Sequence, residues 1–431
     1  MTVFGLGRES ASKPGVLAVA ALLVLGFFLG LYSGRWMGPM QGSGADLNAS
    51  EMEEAVRSAM LKIGTFDRST ALGKALAGLD AENVKGAARG MRTRSEYLDP
   101  IDLQLFLSAW TRFDPAAAMY EADSWPSKTG REIGLRIVMR EWAASGRVIE
   151  AGSYYESIDN LAAKSIVAGP LIRGWALSGD IEGALMRVRL LWEQGEPVNT
   201  VDGFVRGALS SVGPTELIER VLALDPNHGG EFERRLMRLS FKLGARENPR
   251  AAAVAYVRLE NDPPPEWLKG VLQKITGPWA ESEPATAIEW LLERVDTPER
   301  NLALKETMRI WAVRDFDDAW NWWRAQDQRR DLAVEEGGGL LRTILLPPLL
   351  RRMARVRPVE ASEWVEEVEQ SVAREALILR IAYFWAYRDR LQAERWIEGL
   401  GLSESLSENA AEAIARGSED RKATKASEGP A

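Results

Sequence analysis

Arg140, Arg173 and Arg309 each stand two residues before a tryptophan, and Arg206 and Arg351 hold the same place before Ala208 and Met353. A guanidinium fork recurring at one register suits carboxylates, which it grips through paired, charge-assisted hydrogen bonds. The other groups able to do chemistry are few. The 431 residues contain no Cys and one His, His228, which removes thiolate nucleophiles, Cys-ligated metals, His-rich metal sites and most His-based catalysis. Gly337-Gly338-Gly339 lacks the Lys-Ser/Thr of a phosphate-binding loop and reads as a long connection. His228, in DPNHGGEF, reads as a turn residue, and carboxylate pairs such as Glu366-Glu367 as an acidic helix face. No catalytic residue, metal site or cofactor is assigned. With 54 Lys+Arg against 62 Asp+Glu, a net charge of −8 speaks against general binding to nucleic acid.

The elements that position the arginines come from self-similarity. Segments such as WTRFDPAAAMY from Trp110, WAASGRVIEAGSYY from Trp142, WALSGDIEGALMRV from Trp175, WAESEPATAIEWLLERV from Trp279, WAVRDFDDAWNWWRA from Trp311 and WAYRDRLQAERWIEGL from Trp385 repeat one pattern. Ala208 and Met353 fill the Trp slot in weaker copies, and Gly244 marks another. Neighbouring slots are mostly 32 or 33 residues apart, with one longer interval from Trp311 to Met353 that contains the triple glycine. Before the slot, apolar residues at minus seven, minus four and minus three form one helical face, as in Leu135, Val138 and Met139 before Trp142. After it comes a short break carrying Gly146, Gly179, Asp114-Pro115 or Glu283-Pro284, which suits the start of a second helix. That second helix carries a small Ala (Ala118, Ala151, Ala184, Ala287, Ala319, Ala361, Ala393) and often a second Trp at plus eleven (Trp290, Trp322, Trp364, Trp396).

Each unit is thus helix, turn, helix, and such pairs bury their apolar faces only by stacking. At about 100° per residue the core positions centre near 10° and minus two lies near 160°, on the opposite side of the first helix. Five of nine repeats carry Arg there, where a frequency of 54 basic residues in 431 leads to about one. Local pairing of each Arg with a neighbouring carboxylate is the plainer alternative. Most of the 16 tryptophans fall on or beside repeat slots and read as core; Trp125, Trp192, Trp267 and Trp323 fall outside the scheme.

The period, the aromatic near the end of the first helix, the Gly-Asp turn in WALSGDIEGAL, the small residue in the second helix and LALDP at 222–226 resemble the tetratricopeptide repeat over about 300 of 431 residues. The resemblance implies an all-α fold: a superhelical array of helical hairpins whose concave wall, lined by first helices, binds peptides or partner domains. The copies are shorter than the 34-residue repeat and lack its Trp-Leu-Gly signature, so the residues also fit HEAT-like and other α-solenoids.

Upstream, residues 15–34 carry no charge, and twenty helical residues span about 30 Å, the hydrocarbon thickness of a bilayer. Arg8 and Lys13 on one side, against Arg35 on the other, favour a cytoplasmic N-terminus, with Tyr32 and Trp36 as interfacial aromatics. The expected organisation is a cytoplasmic tail at 1–14, one transmembrane helix at 15–34, a flexible linker at 35–50, an atypical helical repeat at 51–99, regular repeats at 100–400, a capping helix at 401–416 and a disordered tail at 417–431. Ser50 and Glu53 match a capping box opening the first soluble helix. The alternative at the N-terminus is a secretory signal cleaved near Ser43-Gly44-Ala45, after which the chain is secreted; either way the repeats face the periplasm or exterior. The functional expectation is a membrane-anchored scaffold that binds protein partners, including acidic segments, through Arg140, Arg173, Arg206, Arg309 and Arg351. The alternatives are an envelope enzyme or enzyme subunit acting on glycan, and a structural subunit of a membrane assembly.

Overall fold

The computed structural model describes residues 47–93, 99–195, 199–224, 230–259, 268–331, 341–368 and 371–427. It is all-α, with no strand among the described residues. The expected span at 15–34, His228, Trp267 and Gly337-Gly338-Gly339 lie outside them. No helix among the described residues is long and apolar enough to cross a membrane. The chain forms two compact units, residues 1–113 and 114–431.

The helices of the first unit are α1 (Ala49–Met60), α2 (Thr65–Leu76), α3 (Val84–Met91) and α4 (Pro100–Thr111), with short turns joining α1 to α2 and α2 to α3. The capping box that opens α1 is set two residues earlier than the sequence pattern suggests: Asn48 caps the amides of Ser50 and Glu51, and Glu51 accepts from the Asn48 amide at 2.9 Å. Asn offers the same short side-chain acceptor as Ser and is at least as good a cap. Gly86 and Gly90 let α3 lie directly on the α1 backbone, because a Cβ at either would overlap the carbonyls of Ala49 or Glu53. α4 joins this unit by packing on α2, with Arg68 and Asp102 paired inside the contact. The unit boundary therefore falls within the first expected regular repeat, after Phe113.

The second unit is a repeat-like array. Its first helices are α6 (Lys128–Ala144), α8 (Leu161–Leu177), the 199–212 half of α10 (Asn199–Leu224), α11 (Glu231–Glu247), α13 (Val271–Ser282), α15 (Pro298–Arg314), α17 (Leu346–Val356), α19 (Ser371–Ala386) and α21 (Glu404–Ser427). Each packs on the next in that order. The second helices are α5 (Pro115–Asp123), α7 (Val148–Glu156), α9 (Ile181–Glu193), the 214–224 half of α10, α12 (Pro249–Val257), α14 (Pro284–Leu292), α16 (Phe316–Asp331), α18 (Pro358–Ser362) and α20 (Arg390–Gly399). Apart from α5, the opening one, they sit between the first helix before and the first helix after. Neighbour-to-neighbour contact of this kind is the arrangement an α-solenoid requires.

The local signals have direct physical counterparts. Pro115, Pro249, Pro284 and Pro358 open second helices, where a missing N–H costs nothing. Gly146, Gly179 and Gly213 adopt φ of 84°, 95° and 81° at the breaks, a left-handed conformation that disfavours side chains. Gly213 breaks α10 into its two halves, with Pro214 starting the second.

In four hairpins an aromatic ring of the second helix packs on the slot tryptophan. Trp142, Trp279, Trp311 and Trp385 are buried at the slot. The plus-eleven ring closes on the slot ring in Trp279–Trp290, Trp311–Trp322 and Trp385–Trp396, with centroids 5.8, 5.5 and 5.6 Å apart, and Tyr154 does the same for Trp142 at 5.3 Å. Such tilted pairs are favoured by the ring quadrupoles. In three repeats the slot indole N–H donates to an acidic residue of the following turn or helix, Trp175 to Asp180 at 2.8 Å, Trp279 to Glu283 at 3.1 Å and Trp311 to Asp318 at 3.2 Å, whereas those of Trp110 and Trp142 are buried without such a partner. Trp125 and Trp323, outside the repeat scheme in sequence, are also fully buried and serve the core.

In the stretch expected as the tail, 417–431, the described residues continue α21 as helix to Ser427. It is held on α19 by Gly417 lying over the Tyr383 carbonyl, by Tyr383 donating to Asp420 and by Arg421 donating to the Arg388 carbonyl. These contacts are non-local, so a weak apolar period misses them.

Candidate functional site

The five arginines sit on first helices of the second unit, in two different local situations. Arg140 on α6 pairs with Glu141 at 2.6 Å, Arg206 on α10 with Asp202 at 2.6 Å, and Arg309 on α15 grips Glu306 through two hydrogen bonds of 2.5 and 2.8 Å. The Glu306 carboxylate holds the Arg309 pKa above its ordinary value, and Arg309 lowers that of Glu306. For these three the plain alternative of local ion pairing describes part of their surroundings. Arg173 and Arg351 differ. Arg173 on α8 is half-buried, its Nε is buried, and it forms no hydrogen bond or ion pair among the described residues. Arg351 on α17 is exposed and likewise without an ion pair among them.

Arg140, Arg173 and Arg206 come together because their helices do. Gly174 lies on the Arg140 carbonyl, Gly207 on the Arg173 carbonyl, Gly203 on the Gly169 carbonyl and Gly169 on that of Asn199. Without Cβ atoms the three backbones touch, which places the arginines side by side in consecutive repeats. Burial lowers the Arg173 pKa most, the Arg140 and Arg206 charges lower it further, and Asp202 and Glu141 oppose them. A guanidinium that loses water between two like charges is short of negative charge.

Two further cationic clusters lie on first helices. Lys274 of α13 is half-buried, and burial followed by Arg238 and Lys242 of α11 lowers its pKa, with Glu299 opposing. Arg380 of α19 is lowered first by burial, then by Arg351 and Arg355 of α17. Arg380 and Arg355 approach the Phe384 ring at 5.6 and 6.0 Å, and neither forms an ion pair among the described residues. These residues fall at about 120° to 220° in the slot-based phase, on the same side as minus two. Of these, an Arg-only register at minus two gives Arg351 alone; counting Lys as well adds Lys242, two residues before Gly244.

Among the described residues no group of His, Cys, Asp or Glu is arranged to hold a metal ion. The geometry offers a row of cations on adjacent first helices, of the charge that suits anions. No protein-family model and no curated protein sequence matches this chain.

Proposed function

We propose that the protein is a membrane-anchored, exported α-solenoid in the style of the tetratricopeptide repeat, which docks acidic segments of protein partners on its first-helix face. The observation that carries this reading is Arg173, half-buried between Arg140 and Arg206 and without a counter-charge of its own. An acidic segment supplies the missing charge, and fixed helices hold the donors in place so that little ordering is needed on binding. Anchoring through 15–34 confines the search for partners to the membrane surface.

The test uses the full chain in detergent and fluorescent oligo-glutamate peptides at low salt. Arg173→Glu with Arg206→Glu is expected to weaken binding at least about tenfold, the size of one lost charge-assisted contact, while far-ultraviolet circular dichroism is unchanged. Equal affinity for variant and parent overturns the reading. The anchor is tested separately by alkaline carbonate washing of membranes. The intact chain is expected to stay in the pellet, and full release into the supernatant removes the transmembrane half of the proposal.

A further inference from the structure

Leu61, Ile63 and Phe66 fall within six residues of chain and are 62%, 95% and 70% exposed. Single exposed apolar side chains are ordinary, but three on one turn make a patch. The turn joins α1 to α2, and every residue from Leu61 to Asp67 is exposed. Arg68, in the first turn of α2, holds Asp99 and Asp102 at the start of α4, which brings the half-exposed Ile101 to the same end of the unit. The opposite end is equally well defined. Gly86 lies on the Ala49 backbone and Gly90 on the Glu53 carbonyl, so α3 runs parallel to α1 and starts beside its start, where Asn83 donates to the Leu47 carbonyl. The chain therefore enters the unit at one end and shows its apolar turn at the other, about 18 Å away along the twelve residues of α1.

The charge, the backbone and the tether of this turn point to one occupant. Lys62 and Asp67 are its only charged residues and they cancel, so it offers a charged protein surface little to pair with. Gly64 caps α2 without a side-chain acceptor, leaving the first amides of the helix open to acceptors from outside, which the headgroup level of a bilayer supplies as water and ester oxygens. With the anchor at 15–34, residues 35–46 reach at most about 40 Å when fully extended, roughly twice the length of α1. The turn can thus fold back onto the bilayer from which the chain has emerged, an apolar surface tied permanently within its reach.

We infer that the α1–α2 turn is a membrane contact, in which Leu61, Ile63 and Phe66, with Ile101 beside them, dip between the headgroups and acyl chains of the bilayer that holds the anchor. This rests on the anchor proposed above. The open amides and Lys62 keep the turn at headgroup depth, since unpaired backbone groups do not enter the hydrocarbon. Because the turn is close to neutral, the contact forms on zwitterionic lipid.

The chain has no Cys, so Thr65→Cys and Lys85→Cys each create one site for a nitroxide spin label, the first on the turn and the second at the opposite end of the unit. Each full-length variant is reconstituted into phosphatidylcholine vesicles and floated with them. Collision rates are then measured with oxygen, which concentrates in lipid, and with a water-soluble nickel chelate. The oxygen-to-nickel ratio is expected to be higher at 65 than at 85, and to fall to the value at 85 when Leu61, Ile63 and Phe66 are all replaced by Ser. These three are exposed, so the far-ultraviolet circular dichroism should not change. Equal ratios at 65 and 85 in a chain that floats leave the anchor standing and overturn the contact. Low collision rates with both reagents at 65 show protein covering the turn and overturn it as well, as does a ratio at 65 indifferent to the triple replacement. A chain that does not float with the vesicles removes anchor and contact together.

Discussion

Replacing Gly203 by leucine separates α8 from α10 and lowers stability by about 3 kcal/mol or more, the upper part of the range for overpacking a filled contact. A Cβ at Gly203 meets the Gly169 carbonyl, so backbone must move and no side-chain rotation relieves the clash. In an array stabilised by neighbour contacts the damage stays local at first. The urea midpoint followed by tryptophan fluorescence should fall, and amide exchange should accelerate in α8 and α10 before α19 and α21. Gly152→Ala is the control. Gly152 is on α7 with open space where its Cβ would stand, and helix propensity there favours Ala by up to about 1 kcal/mol. Equal destabilisation by both substitutions removes the close-contact argument.

Asp102→Ala is expected to unfold the first unit selectively. Asp102 is 1% exposed and Arg68 7% exposed; Arg68 Nε lies 2.5 Å from Asp102, its Nη2 reaches Asp99 at 3.0 Å, and Ser69 donates to Asp102 at 3.3 Å. Removing one member leaves the other charge buried with only a partly exposed partner, which costs about 3–5 kcal/mol, a large share of a small unit's stability. Replacing both by leucine removes the uncompensated charge and should recover much of that loss. Limited proteolysis reads the result: new cuts before residue 113 in Asp102→Ala, few in the double variant, and none after 114 in either. An Asp102→Ala chain as resistant as the parent contradicts the importance given to this pair.

The helical hairpins are legible because their signals are local. Pro115 after Asp114, Gly146 and Gly179 each impose a backbone conformation on their own residue, and the apolar positions before Trp142 or Met353 need only helical phase to share a face. The Trp279–Trp290 and Trp311–Trp322 pairings follow from the same phase. What escapes is non-local. Gly169, Gly174, Gly203 and Gly207 look like weak points within helices until the neighbouring backbone is in place, although the Gly174 and Gly207 spacing of one repeat was there to be read. The pairing of Arg68 with Asp102 joins residues 34 apart, one of them in the atypical stretch before the Trp110 repeat, where no shared register links the two. At the candidate site, register finds Arg173, while only the folded neighbours distinguish it from the locally paired Arg309.

The glycine contacts also divide the array. At Gly169, Gly174, Gly203 and Gly207 the helices α6, α8 and α10 meet main chain, so at those points there is no side-chain rotation to relieve a change. From α11 to α17 no glycine of a first helix lies on a neighbouring backbone: Gly244 faces only side-chain atoms and Gly277 open space. A substitution in the glycine contacts between α6 and α10 therefore has to move backbone, whereas at Gly244 or Gly277 only side chains, or nothing, stand in the way.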